Sequence, residues 1–211
     1  MTTSPSAELS ATVSQRELPL AGKLSVFARD IKISHTVFAL PWAFLACFLA
    51  AGGTPRPSLL LLILGCMVTA RTVAMAANRL LDARLDSMNP RTARRAIPTG
   101  ALSSGFYLAI LIGCAVLFVL LASGFWLLAS NPWPLILSFP VLAFISSYPL
   151  LKRCTRLCHY YLGAALALAP VCAYLAIAGR VDWVAVIMAG AVLLWTAGFD
   201  IIYACQDYES D

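Results

Sequence analysis

Charge is scarce in this chain of 211 residues: Asp, Glu, Lys and Arg together make up 12% of it, about half the share of a soluble domain. Polar filler is short as well, since 61% of the residues are hydrophobic and the mean hydropathy is +0.83. A chain so poor in charge cannot solvate the surface of a water-soluble domain, and a lipid bilayer is its expected solvent. Paired cysteine spacing is also missing. Cys47, Cys66, Cys114, Cys154, Cys158, Cys172 and Cys205 are scattered through apolar segments, which argues for free thiols rather than a disulfide framework. Cys154, Cys158 and His159 stand close in sequence, but they have no fourth ligand nearby and sit among basic residues, so zinc is set aside. There is no internal repeat and no low-complexity block. Residues 1–24, rich in Ser, Thr, Ala and Pro, hold no apolar core of signal-peptide length and are expected to form a flexible tail.

What is present is a series of near-uncharged segments at 33–51, 59–77, 106–128, 135–151, 160–178 and 184–205, each close to the roughly 20 residues that cross a bilayer as a helix. The expected fold is therefore all-α: a polytopic transmembrane bundle of six spans within one domain over 25–211, preceded by the tail. Pro41, Pro140 and Pro170 lie within these segments and are expected to kink them. Trp126, Trp133 and Trp183 fall near segment ends, as interfacial anchors do.

Basic residues give the orientation. Arg16, Lys23, Arg29 and Lys32 precede or open the first span; Arg79, Arg84, Arg91, Arg94 and Arg95 follow the second; Lys152, Arg153 and Arg156 follow the fourth. These are twelve of the fifteen Lys and Arg residues, all on one side, and such an excess marks the cytoplasmic face, where the amino terminus is also expected. The net charge of +5 reflects topology and gives no support to nucleic-acid binding, for which no module is visible.

Carboxylates bordering membrane spans are costly and point to function unless they merely cap helices in water. They come here in two sets. Asn78, Asp82 and Asp86 end the second span, four residues apart, so on a helix they share one face with a drift of about 40° per step. Asp200, Asp207 and Asp211 end the sixth. Both sets belong to the same membrane side. An all-oxygen donor set suits a hard cation such as Mg²⁺, whose shell is commonly completed by substrate phosphate and water. Arg91, Arg95, Lys152 and Arg153 are the nearby cations, and guanidinium forks pair with phosphate oxygens. Arg84, Arg94 and Glu209 are read as solvated bystanders. Arg71 lies seven residues before Asn78 on nearly the same face, where it is expensive unless paired. His35 near the start of the first span and Tyr203 between Asp200 and Asp207 are further candidates, each with a packing role as the alternative.

At these residues the chain resembles the UbiA superfamily of intramembrane aromatic prenyltransferases. Asn78-x-x-x-Asp82-x-x-x-Asp86 is similar to the first aspartate-rich motif, Asn89-Pro-Arg-Thr-Ala-x-Arg95-x-x-Pro98-x-Gly100 to the loop after it, and Asp200-x-x-Tyr203-x-x-x-Asp207-x-x-x-Asp211 to the second motif. Tyr148-Pro-x-x-Lys152-Arg153 resembles the basic segment after the fourth helix. Within the superfamily, His35-Thr-Val-Phe-Ala-Leu-Pro41 and the Gly198 to Asp207 stretch look most like 4-hydroxybenzoate polyprenyltransferases and their menaquinone-pathway relatives. Two positions depart from the pattern: Arg79 where the family often has Asp, and Ala96 where it often has Pro.

The resemblance implies Mg²⁺-dependent transfer of a polyprenyl group from its diphosphate to an aromatic acceptor, in quinone biosynthesis, at the cytoplasmic face of a bacterial inner membrane. By analogy Asn78, Asp82 and Asp86 would hold one Mg²⁺ and Asp207 with Asp211 a second, with the four carboxylates as catalytic groups. Arg91, Arg95, Lys152 and Arg153 would bind the diphosphate. Members normally have nine spans, so the resemblance also implies that a C-terminal third is absent from this chain and that its activity alone is low. The rival readings are a transporter with a carboxylate-lined path and an inactive remnant that still binds prenyl diphosphate. Against the transporter, its sites usually lie near the midplane at a repeat interface.

Overall fold

The computed structural model describes residues 19–32, 39–151, 153–155 and 157–206. Among them every regular element is a helix: α1 Leu20–Asp30, α2 Leu40–Ala51, α3 Pro57–Met88, α4 Ser104–Ala129, α5 Trp133–Leu151, α6 Cys158–Ala178 and α7 Trp183–Gln206. Lipid offers no hydrogen bonds to the main chain, and helices satisfy their own. Five of the helices, α3 to α7, are long and apolar enough to cross a bilayer. They correspond to the last five expected spans. The first, expected over 33–51, is described as a shorter apolar helix from Leu40 to Ala51.

Helix ends follow local chemistry. The Ser103 hydroxyl accepts from the Phe106 amide at 3.2 Å and caps α4, as N-terminal Ser does. Gly52 ends α2 and Gly179 ends α6, both at positive φ, a conformation glycine adopts without steric cost. Pro41 does not kink a span: it sits in the first turn of α2, where the missing N–H is no loss. Pro140, Pro149 and Pro170 are the prolines inside helices. At the amino-terminal side, α1 begins at Leu20, within the stretch read as tail, because Phe27 and Ile31 bury against Ala76, Ala96, Leu102 and Tyr107.

Helices α3 to α7 run antiparallel in succession, and two sets of contacts identify the ends. At one end the Arg56 guanidinium donates to the Leu128 carbonyl at 3.3 Å. There Asn131 donates to the carbonyls of Leu175 at 2.8 Å and Ala176 at 3.0 Å, and its Oδ1 accepts from the Trp133 amide at 3.1 Å. Trp126, Trp133 and Trp183 are all exposed at this end. The opposite end gathers the C-termini of α3, α5 and α7 with the N-termini of α4 and α6. It holds the polar residues.

Asn131 is buried and stitches the α4–α5 turn to the end of α6. Replacing it by Ala takes a donor from the Ala176 carbonyl and the acceptor from the Trp133 amide, while the Leu175 carbonyl keeps the Gly179 amide at 2.9 Å, so Asn131→Ala is expected to cost about 2 kcal/mol of stability, read as a lower midpoint in thermal unfolding in detergent. An unchanged midpoint would mean that water replaces the amide freely.

Within the bundle small side chains let backbones approach, as in other membrane helices. Ala43, Ala46, Ala173, Ala176 and Ala185 are buried together with Leu59, Ile63 and Phe125. A Cβ on Gly163 of α6 would stand 2.5 Å from the Leu193 carbonyl oxygen of α7. Helix α5 packs on both α3 and α6, and α6 packs on α7, so α5 and α6 join the two acid-bearing helices.

Candidate active site

The first acidic ladder continues the membrane helix without a break, because α3 runs to Met88, well past the apolar run that ends near Ala77. Asp82 and Asp86 are 1% and 4% exposed, a depth that an ionised carboxylate reaches only with partners. Each has one. Arg153, just beyond α5, donates through one terminal nitrogen to Asp82 Oδ1 at 3.1 Å and to the Leu81 carbonyl at 2.6 Å. Arg95, in the α3–α4 connection, places one terminal nitrogen 2.6 Å from both Asp86 oxygens. Asn78 donates from Nδ2 to Asp82 Oδ2 at 3.3 Å. The three ladder residues are thus on one face, as their spacing requires.

The connection from Asn89 to Ser103 is folded back onto the ladder by its own turns. Asn89 Oδ1 accepts from the Arg91 amide at 2.9 Å, and its carbonyl accepts from Thr92 and Ala93. The Thr92 hydroxyl donates to the Asp86 carbonyl at 3.1 Å, which tethers the loop to the helix it follows. Gly100 has φ of +73°, and the Leu102 amide returns to the Ala96 carbonyl at 3.1 Å. Arg95 is therefore held over the ladder by local geometry. Arg84 and Arg94 are exposed.

On the other side of the end face, Asp200 of α7 meets His159 of α6, Nδ1 to Oδ2 at 2.8 Å. Tyr148 on α5 lies within electrostatic reach of both Asp200 and Asp82. Helix α5 thus bears Tyr148, and just beyond its end Arg153 reaches the first acidic set. Tyr203 is not drawn into the polar group; it is 55% exposed and its ring packs 4.8 Å from Phe199. Arg71 lies about two turns deeper on α3 than Asn78, and its Nε is buried with no hydrogen-bond partner among the described residues. His35, Lys152, Asp207 and Asp211 lie outside the described residues.

Three groups escaped the reading of the chain. Asp30 accepts from Arg79 Nε at 2.9 Å, from the Tyr107 hydroxyl at 2.6 Å and from the Ala96 amide at 3.2 Å. The signal for Asp30 was available, since it is a carboxylate next to an apolar span like the others. Arg79 stood out only as a departure from the family pattern. His159 was weighed with Cys154 and Cys158 as a metal ligand, whereas its partner comes from α7. All seven cysteines are free.

As a cation site the donors fit in kind: an amide and two carboxylates on successive turns, all oxygen, suit Mg²⁺. Among the described residues no three His, Cys, Asp or Glu side chains converge as a closed metal cage, so such an ion would need further oxygens from phosphate and water.

The sequence pattern of the UbiA prenyltransferase family matches residues 39–211. This chain belongs to that family. Among UbiA relatives, the 4-hydroxybenzoate octaprenyltransferase of Hydrogenovibrio crunogenus is 32% identical over 205 residues, covering 94% of this chain and 67% of that protein. The one of Photobacterium profundum is 35% identical over 191 residues, covering 90% and 63%. The chain thus spans about two thirds of the length of these relatives. Among solved structures, the apo UbiA homolog from Aeropyrum pernix K1 superposes with a TM-score of 0.73 at 31% identity, over 83% of this chain and 64% of that one. The UbiA homolog from Archaeoglobus fulgidus bound to DMAPP and Mg²⁺ has a TM-score of 0.68 at 19% identity, over 88% and 65%. The helical membrane bundle of this chain is accordingly the UbiA fold.

Proposed function

We propose that this chain carries the diphosphate-binding side of a Mg²⁺-dependent prenyltransferase that transfers a polyprenyl group to an aromatic acceptor of the 4-hydroxybenzoate kind, in quinone biosynthesis. One observation carries the reading: buried, arginine-paired carboxylates on α3 share one end of the bundle with the His159-paired Asp200 on α7. The relatives named for 4-hydroxybenzoate prenyl transfer, and a family member's complex with DMAPP and Mg²⁺, support the substrate classes.

Asn78, Asp82 and Asp86 would hold one Mg²⁺, and Asp207 with Asp211 a second. When bound, Mg²⁺ would neutralise diphosphate oxygens whose charge grows as the allylic C–O bond breaks. The chain's own part is electrostatic. Arg95 and Arg153 already sit on the carboxylates they neutralise, and with Arg91 and Lys152 they would turn their donors to the diphosphate as it arrives. The allylic cation is then attacked by the aromatic carbon, and the ring releases its proton. Apolar helix walls keep water from capturing the cation. The excess of Lys and Arg at this end supports a cytoplasmic orientation in a bacterial inner membrane, with the amino terminus on the same side.

Among the described residues the buried Arg71 Nε has no hydrogen-bond partner, which is costly inside an apolar bundle, and the guanidinium is proposed to pair with the carboxylate of the acceptor. The test is a prenylation assay in nanodiscs with geranyl diphosphate, 4-hydroxybenzoate and Mg²⁺. Arg71→Leu is expected to raise the acceptor KM about tenfold or more, the size of a lost charged hydrogen bond, while leaving the donor KM unchanged. Prenylation that persists in EDTA would overturn the metal-dependent reading. An unchanged acceptor KM in Arg71→Leu would remove Arg71 from the acceptor.

A further inference from the structure

We infer that Arg79 is a positioning residue: its guanidinium fixes the amide of Asn78 for cation binding and, through Asp30, ties that amide to the amino-terminal helix α1 and to the loop that carries Arg95. This inference rests on the metal-binding reading of Asn78 and concerns residues outside the ligand set.

The three nitrogens of the Arg79 fork reach three different acceptor oxygens. Nε reaches Asp30 Oδ2 at 2.9 Å, one terminal nitrogen reaches the Asp30 carbonyl at 2.8 Å, and the other reaches Asn78 Oδ1 at 3.0 Å. A guanidinium only donates, so the Asn78 oxygen must face Arg79. The Asn78 nitrogen then faces Asp82 Oδ2, an acceptor. The amide therefore has one orientation in which both neighbours are satisfied, and flipping it would set donor against donor and acceptor against acceptor. Its oxygen keeps a second lone pair for a cation.

A positive charge beside a cation site would ordinarily weaken it. Here Arg79 is 7% exposed and its counter-charge, Asp30, is 10% exposed, so the pair presents little net charge to the ladder. Asp30 is itself held from two other directions, by the Tyr107 hydroxyl on α4 and by the Ala96 amide next to Arg95. One carboxylate thus connects α1, α3, α4 and the basic loop. Groups that orient a ligand in this way from behind typically change metal affinity 10- to 100-fold when removed.

Arg79→Lys separates positioning from structure: an ammonium can still pair with Asp30, but it has no planar fork to reach Asn78 as well. Asparagine occurs only at 78, 89 and 131, so ¹⁵N-asparagine labelling in nanodiscs yields three side-chain amides to follow by NMR. Without metal, the Asn78 amide is expected to be protected from exchange in the wild type and to lose that protection in Arg79→Lys, while the thermal midpoint stays within a few degrees. With Mg²⁺ and geranyl diphosphate, the half-saturating Mg²⁺ concentration is expected to rise about tenfold. Asp30→Asn, which keeps the shape of the anchor and removes its charge, is the second variant and is expected to shift both readouts in the same direction. Unchanged amide protection in both variants would overturn the inference. An amide that loses protection in a protein whose wild type binds no Mg²⁺–geranyl diphosphate would sustain the positioning role and remove the prenyltransferase reading beneath it.

Discussion

Asp82→Ala is expected to abolish Mg²⁺-dependent binding of geranyl diphosphate and to lower prenyl transfer by about 10³-fold, at the upper end of what a single preorganised electrostatic group contributes. Asp82 is the residue on which the end face converges, since Asn78 reaches one of its oxygens and Arg153 the other. The fold should survive the change. Arg153 is 40% exposed, so on losing its partner it turns to water, and the Asn78 amide left without its acceptor sets the stability cost at about 1–3 kcal/mol. Arg84→Ala, on an exposed residue two positions away, should leave both readouts unchanged and serves as the control. Transfer by Asp82→Ala within tenfold of the wild type would remove the ladder from catalysis.

Gly163→Ala is expected to act from the opposite direction, through packing. The new methyl would meet the Leu193 backbone oxygen at 2.5 Å, a contact no rotamer change relieves, and α6 and α7 must move apart. Overpacking of this kind costs roughly 1–3 kcal/mol, or a fall of roughly 5 °C in the apparent melting temperature. His159 lies one turn before Gly163 and Asp200 two turns after Leu193, so their pairing at 2.8 Å should loosen too. Gly113→Ala, whose Cβ meets nothing within 4 Å, is the matched control. Equal melting temperatures for the two variants would show that the α6–α7 approach is not tight.

Much of this was legible along the chain, for a physical reason: a bilayer imposes one length scale and one backbone solution, so apolar runs translate directly into helices. The ladder was legible because a spacing of four is a local property of a helix. Its partners were less so. Arg95 follows Asp86 closely and could be placed by the loop motif, but Asp30 meets Arg79 across 49 residues, and nothing local to either residue names the other. The expected tail boundary at residue 24 fell inside α1 for the same reason: the helix is held by Phe27 and Ile31 docking on α3, α4 and their connection, while composition sees only the small polar residues before it. His159 was hidden by the cysteines beside it: zinc was set aside for want of a fourth ligand, and nothing local pointed to Asp200 on α7.

Helix α3 has 32 residues, which at 1.5 Å each is about 48 Å, against about 30 Å of hydrocarbon. Counted from Pro57, Asn78 stands about 32 Å along, where oil gives way to headgroups. On the proposed function a greasy donor and a water-soluble ring have no common solvent, and a rod that outgrows the oil by three turns would give them a meeting height: the tail would stay dissolved among acyl chains while its charged head, and the small molecule arriving from water, would be met at the boundary without either changing phase.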